Sequence, residues 1–369
     1  MPKMKIPMIS KMPKITEKIH RHIRDLILAP KNLIFRALDI PLKPEWVVFM
    51  VTDRCNSRCI HCNIWRQKPT ENPLSPEEIE KIFSDKLFKN VRYVLCTGGE
   101  PTVRNDLEEV FLALHKALPK ATLQLSTNAL LPERVIKLVE TAMENDIKLD
   151  VGVSLDGIGE AHDRIRGVKG NFEKADWLLH KLVDLRKKYG NKLNVTAGIV
   201  VSDLTVNSIF QVREYVKKMN IGLVEAWYNI ASFYGNYNEE DKAKLKEKIF
   251  EVVKSQPKHL LQEKWLKYLK GKPIKFPCFA LHTFCVVKCN GDIVPCLNLW
   301  DEKVGNLRES SPHEIWYSKR AKQVREKIKK CKGCLNSWGA NWSFQNSYYP
   351  ILSFYLRHPK ILIKRLIGK

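Results

Sequence analysis

Three cysteines within eight residues carry the most pointed chemistry in this chain: Cys55-Asn56-Ser57-Arg58-Cys59-Ile60-His61-Cys62, spaced CxxxCxxC. A zinc knuckle offers a fourth Cys or His at CxxC spacing and closes a tetrahedron around one ion. Three thiolates at this spacing instead suit three corners of a [4Fe–4S] cube, because each iron takes one sulfur ligand from outside the cluster. The fourth iron then lacks a protein ligand and stands open to a reactant. A second set lies downstream, where Cys278 is followed after seventeen residues by Cys296 and after thirty-four more by Cys331-Lys332-Gly333-Cys334. Asn290-Gly291 between its first two members reads as a hairpin turn joining Phe284–Lys288 to Ile293–Pro295. These four cysteines can close every corner of one cluster, with zinc as the alternative occupant. Cys285 and Cys289 are spare, and Cys289 is near enough to substitute as a ligand. Between the two sets, Cys96-Thr97-Gly98-Gly99-Glu100-Pro101 combines two glycines, which let a backbone approach a ligand, with a carboxylate that can accept from an ammonium. Cys96 itself reads as a core residue.

The elements that must position these groups alternate regularly. Strand-like runs occupy Trp46–Thr52, Val91–Thr97, Thr122–Thr127, Lys148–Leu155, Leu193–Val201 and Leu223–Tyr228, with amphipathic helices starting near Ser75, Leu107, Pro132, Phe172 and Thr205. Ser75-Pro76-Glu77-Glu78 is a helix start: an N-cap serine, proline at N1 and acids in the first turn. Six such βα units predict an α/β fold, a partial (β/α)6 TIM-like barrel with helices outside and chemistry at the carboxyl ends of the strands. The expected organisation is basic amphipathic helices over 1–44, the barrel over 45–237, a helical linker over 238–275, a cluster domain over 276–340 and a basic amphipathic tail over 341–369.

The first triplet resembles the signature of the radical S-adenosylmethionine (radical SAM) superfamily. That resemblance implies a [4Fe–4S] cluster on Cys55, Cys59 and Cys62 whose open iron is chelated by the amino and carboxylate groups of SAM. It also implies reductive cleavage of SAM to a 5′-deoxyadenosyl radical that takes hydrogen from an unactivated C–H bond. His61 stands where the family usually carries an aromatic residue near the adenine. Gly98, Gly99 and Glu100 match the segment that holds the SAM amino group, and Ser126, Ser154 and Asp156 match polar positions lining the SAM site. Arg166 resembles an arginine that often follows the fourth strand; a salt bridge inside the barrel is the plainer reading, as turn capping is for the serines. The downstream cysteines, with Gly305-Asn306-Leu307 and Ile315-Trp316, are similar to the family's SPASM and twitch extensions. The longer form needs three more cysteines after the CxxC, and none follow Cys334. The resemblance therefore implies the twitch type, one auxiliary [4Fe–4S] cluster on Cys278, Cys296, Cys331 and Cys334, together with anaerobic chemistry and an electron donor such as ferredoxin or flavodoxin.

A formal charge of +23 over 369 residues calls for an anionic partner or a solvated lysine face. Ile15, Ile19, Ile23, Leu26 and Ile27 recur at helical spacing among Lys18, Arg21 and Arg24, and Leu33, Ile34 and Leu38 continue the pattern. Beyond Glu326 no acid occurs in 43 residues while nine are Lys or Arg, and Trp342, Phe344, Tyr348, Tyr349, Phe354 and Tyr355 precede an apolar, basic end. Aromatics followed by a basic amphipathic segment suit an interfacial membrane anchor; a helix packed on the barrel is the alternative. The opening residues are broken by Pro2, Pro7 and Pro13 and give no signal peptide, and no apolar run reaches the roughly 18 residues that span a bilayer. The expected location is cytoplasmic, with the two basic ends as candidates for peripheral attachment to the inner face of the membrane. They favour a lipid or polyprenyl-linked substrate; a peptide or a small cyclitol-like molecule is the alternative, and RNA ranks below both.

Overall fold

The computed structural model describes residues 28–202, 204–227, 249–256, 259–272, 276–331, 337–347 and 349–361. Six parallel strands lie side by side in sequence order: β1 (Trp46–Thr52), β2 (Tyr93–Gly98), β3 (Thr122–Thr127), β4 (Leu149–Ser154), β5 (Leu193–Val201) and β6 (Gly222–Trp227). After a helix over 28–37 (α1), the crossovers are α2 (Pro76–Phe83), α3 (Leu107–Ala117), α4 (Pro132–Glu144), α5 (Glu160–Arg166) with α6 (Asn171–Tyr189), and α7 (Ile209–Lys218). Periodicity predicts each of these crossover helices except α5, whose seven residues are too few to set up a pattern. Ser75 caps α2 as expected: its hydroxyl accepts the Glu78 N–H at 3.2 Å, and Glu78 Oε2 accepts the Ser75 N–H at 2.9 Å.

The strands read as they do because one face of the sheet lies under helices. Leu123 and Leu125 of β3, Val151 and Val153 of β4, and Val195 and Ala197 of β5 are fully buried in one core. The alternate residues are half-buried or exposed on the concave face, which is largely polar or small: Gln124, Ser126, Asp150, Gly152, Thr196 and Gly198. β1 is buried on both faces, with Val47, Phe49 and Val51 under helices and Val48 and Met50 inside the curve.

The barrel does not close. Beyond β1 the sheet continues through β7 (Phe284–Val287), parallel to β1, then β8 (Asp292–Val294) and β9 (Gly305–Asn306), both antiparallel to their neighbours. The hairpin predicted at Asn290-Gly291 joins β7 to β8, with Gly291 at φ 89°. The expected cluster unit thus shares one nine-stranded sheet with the barrel. A helical stretch over 249–254 (α8), α9 (Leu260–Leu269), α10 (Pro312–Tyr317) and α11 (Lys319–Lys329) complete the body, followed by α12 (Ser337–Ser347) and α13 (Tyr349–Arg357).

These last two helices bury aromatics of the tail, as the packed-helix alternative expects. Trp342, Phe344, Phe354 and Tyr355 are all buried. Trp342 stands edge-on to Trp46 at 4.7 Å and donates from Nε1 to Thr283 Oγ1 at 3.1 Å, while α12 also reaches β6 and α9. The open gap between the two sides of the sheet offers this aromatic face a core. Tyr349 and Leu356 stay exposed, as do Ile34 and Leu38 near the other end; Tyr348, residues 362–369 and the segment Ile15–Ile27 lie outside the described residues. No helix among the described residues is long and apolar enough to cross a membrane.

Candidate active site

Cys55, Cys59 and Cys62 sit on the loop leaving β1, at the carboxyl end of the sheet. The loop is stitched to the last turn of α5: Arg58 N–H and Ser57 Oγ both donate to the Arg166 carbonyl, at 3.1 and 2.9 Å, and Ile60 N–H donates to Ile165 O at 2.9 Å. Gly167 follows at φ 67°, and a Cβ there would stand 2.4 Å from the Arg58 carbonyl oxygen. Burial pushes the Cys55 thiol up to about 12 and Cys62 up to about 11, with the neighbouring sulfurs adding to both. Cationic irons would reverse that cost, so the donor set fits a cluster. Among the described residues no group of three His, Cys, Asp or Glu side chains is close enough to hold one metal ion.

The two glycines make a different close approach from the one expected. A Cβ on Gly98 would lie 1.9 Å from the Thr52 carbonyl oxygen, and one on Gly99 would lie 2.0 Å from that of Arg54. Gly99 N–H and Glu100 N–H donate to these two carbonyls at 2.8 Å each. The glycines therefore press the end of β2 against the chain entering the cysteine loop. Glu100 is 1 % exposed, and its Oε1 accepts from Thr102 N, Thr102 Oγ1 and Thr127 Oγ1 at 3.2, 2.7 and 2.8 Å. Among the described residues Oε2 accepts only the Asn128 N–H, at 2.6 Å, and keeps room for a further donor such as an ammonium. Burial raises the Glu100 pKa, against the pull of these hydrogen bonds.

Asp156, fully buried just beyond β4, is the hub of the opposite wall. Its Oδ2 lies 2.8 Å from Arg166 Nε and 3.9 Å from His61 Nε2, and its Oδ1 accepts the Val200 N–H at 2.9 Å. Burial pushes its pKa up, but Arg166 and His61 outweigh that and hold it below the ordinary carboxylate value. Arg166 Nη1 reaches Cys59 Sγ at 3.8 Å. Arg166 is thus a barrel salt bridge, the plainer reading, and it also neighbours Cys59. His61 is buried, and among the described residues its Nδ1 has no hydrogen-bond partner, leaving a polar atom beside the cysteines. Ser126 and Ser154 are half-buried on the concave face, aligned with Gly152 and Gly198 of the adjoining strands.

Several residues here escape sequence reasoning. Asn128 Nδ2 donates to Asn56 Oδ1 at 2.8 Å and lies 4.0 Å from Cys55 Sγ. His162 Nδ1 accepts the Asp156 N–H at 3.1 Å. Trp300, like Cys55 and Cys62, packs against the small cluster of Met50 and Ile64. Asn128 closes the polar run Ser126-Thr127-Asn128 at the end of the third strand, a usable signal; the other two carry none.

In the second set, Cys278, Cys296 and Cys331 are close enough to act electrostatically on one another, and burial pushes Cys296 up to about 12. Cys334 lies outside the described residues. Cys285 is buried in the main core under β7. Cys289 sits beside Thr70 and Asp53, with Sγ 3.5 Å from Thr70 Oγ1, and burial pushes it up to about 11.

The chain matches the radical SAM superfamily over residues 49–214 and the SPASM iron–sulfur cluster-binding domain over residues 278–335. A probable GTP 3′,8-cyclase of Methanosarcina acetivorans is 30 % identical, over 72 % of this chain and 81 % of that one. The Fe-coproporphyrin III synthase of Methanosarcina barkeri is 36 % identical over 50 % of this chain, which spans only 46 % of that protein. The mycofactocin maturase of Mycolicibacterium smegmatis is 34 % identical over 40 % of this chain and 36 % of its own length. In three dimensions the fold is similar to Streptococcus suis SuiB bound to its precursor peptide, with a TM-score of 0.60, 19 % identity, and 83 % of this chain and 75 % of that chain covered. The chain belongs to the radical SAM superfamily. It is an enzyme of the SPASM-bearing branch, using SAM, a [4Fe–4S] cluster and auxiliary iron–sulfur chemistry.

Proposed function

We propose that this enzyme abstracts a hydrogen atom from a peptide lying along the concave face of the sheet. The observation that carries the reading is the nature of that face. Gln124, Ser126, Asp150, Ser154 and Thr196 present polar groups, and Gly198 looks onto open space with nothing within 4 Å of where a Cβ would be. Among the described residues the β6 side stays open, with Val224 49 % exposed. Backbone amides of an extended chain find partners on such a wall, whereas an alkyl chain would leave its buried polar groups unpaired. The burial of the tail aromatics removes the main argument for a lipid, and the kinship with a mycofactocin maturase supports a peptide.

In this reading Cys55, Cys59 and Cys62 hold the catalytic cluster, and Cys278, Cys296, Cys331 and Cys334 hold one auxiliary cluster. SAM lies between the Gly98–Glu100 turn and the wall formed by Ser126, Ser154, Asp156, Arg166 and His61. Bound there, SAM and its cluster supply a primary carbon radical. The chain's part is to orient: Glu100 Oε2 takes the remaining donor, Asp156 and Arg166 neutralise each other without water, and the curved sheet keeps solvent from the reacting carbon. The test is deuterium transfer into 5′-deoxyadenosine, followed by mass spectrometry, from deuterated peptides, from deuterated GTP, from a deuterated cyclitol and from deuterated lipid vesicles. Transfer from a peptide is expected. Transfer from GTP, the cyclitol or the lipid, with none from any peptide, would overturn the assignment.

A further inference from the structure

The downstream cysteines have a neighbour from the other end of the chain. Arg36, on the last turn of α1, is half-buried and donates from Nε to the Cys278 carbonyl at 2.7 Å. Its guanidinium also lies over the Phe279 ring, 6.0 Å from the centroid. The cation and the Cys278 sulfur are close enough to act on each other electrostatically, and Cys278 stands in the same relation to Cys296 and Cys331. The chain around Arg36 is fixed from two sides: Asn32 Nδ2 donates to the Asn346 carbonyl of α12 at 3.3 Å, and Trp316 Nε1 donates to the Leu42 carbonyl at 2.9 Å. Two further cations reach this corner, but each has its own acid. Arg325 of α11 pairs with Asp39 at 2.9 Å, and Lys329, which donates to the Ala37 carbonyl at 3.5 Å, pairs with Glu326 at 2.7 Å. Among the described residues no ion pair neutralises Arg36, and the charge it faces is that of Cys278.

We infer that Arg36 is a positioning residue for the auxiliary cluster, a fixed positive charge beside Cys278 that favours the cluster's reduced form. Net charge and hydrogen bonding around an iron–sulfur cluster set its reduction potential. Each electron taken up adds one negative charge behind the thiolates, and a half-buried cation is screened from it far less than a solvated one. The effect belongs to the charge, because Arg36 Nε bonds the backbone carbonyl of Cys278 and leaves its sulfur free for iron. Lysine at this position should therefore replace arginine in large part. The inference rests on the reading of Cys278, Cys296, Cys331 and Cys334 as one ligand set and is independent of the substrate proposed above.

The experiment is an anaerobic redox titration followed by electron paramagnetic resonance. Its parent is the full chain carrying Cys55→Ala, Cys59→Ala and Cys62→Ala, reconstituted so that the downstream cysteines alone hold iron. Dithionite supplies the one electron, and no proton or chemical group is transferred. Adding Arg36→Gln should lower the ratio of reduced to oxidised cluster at least about tenfold at a given potential, a midpoint about 59 mV more negative, with iron content unchanged. Arg36→Lys should recover most of that shift. Lys187→Gln removes an exposed cation on α6 and should leave the midpoint where it is. The parent's midpoint in Arg36→Gln, an equal shift in Lys187→Gln, or no recovery in Arg36→Lys would each overturn the inference. A parent that is folded by circular dichroism yet binds no iron would overturn the ligand reading and this inference with it. Should Arg36→Gln lose its iron, Arg36→Met carries the same test with the same expected shift.

Discussion

Replacing Asp156 by asparagine should cost about 3–5 kcal/mol, the penalty for stranding one member of a buried ion pair. Asp156 is fully buried and Arg166 is 8 % exposed, with Oδ2 and Nε 2.8 Å apart. Asparagine keeps the oxygen that accepts the Val200 N–H. Its amide nitrogen, however, meets Arg166 Nε donor to donor, and the guanidinium keeps its charge with no counter-charge. The damage should reach the cysteine loop, because the Arg166 carbonyl holds Ser57 and Arg58. Unfolding of the anaerobically reconstituted protein, with iron content measured alongside, reads both effects. A drop in Tm on the order of 5–10 °C is expected. Adding Arg166→Met removes the stranded charge, so the double variant should regain most of the lost stability. Stability within about 1 kcal/mol of native for Asp156→Asn, or no recovery in the double variant, would refute the ion-pair reasoning.

Gly99→Ala puts a methyl 2.0 Å from a backbone oxygen that cannot step aside, so SAM should bind on the order of tenfold more weakly by equilibrium dialysis; native affinity would mean the turn does not brace the loop. His162 accepts a backbone N–H at Nδ1, and burial holds its pKa down at about 4, against 6.5 in the unfolded chain. Between those values the unfolded chain binds more protons, so the stability that His162 contributes is complete above pH 6.5 and is lost as pH falls towards 4. His162→Gln should flatten that part of the denaturation profile, and an unchanged slope would assign it to other groups. Trp342→Ala should cost about 3–5 kcal/mol in urea unfolding, as for other buried aromatics. If it instead left stability intact and abolished binding to anionic vesicles, the tail would be a membrane anchor after all.

The barrel was legible because β3 and β4 are covered on one face only, so that Leu123, Leu125, Val151 and Val153 alternate with smaller or polar residues. The cysteine spacing marked the site because cluster ligation is local in sequence. What could not be read were pairings across long separations. Asn128 meets Asn56 across 72 residues, and Arg166 reaches Cys59 across 107. The Gly-Gly pair announced a close approach, but not that it is made to the carbonyls of Thr52 and Arg54, 46 and 45 residues back along the chain. The tail's aromatics could not be placed from sequence because an amphipathic aromatic helix has the same pattern whether its apolar face meets lipid or a gap in a sheet. The open barrel, with Trp46 at its end, takes up Trp342.

The most direct test of the central claim is release of 5′-deoxyadenosine from SAM by the reduced, reconstituted protein, compared with the variant carrying Cys55→Ala, Cys59→Ala and Cys62→Ala. The native protein should release it, and the variant should release none while retaining the iron held by the downstream cysteines. Release by the triple variant, or none by the native protein at full iron content, would contradict the assignment of these three cysteines as the catalytic cluster's ligands.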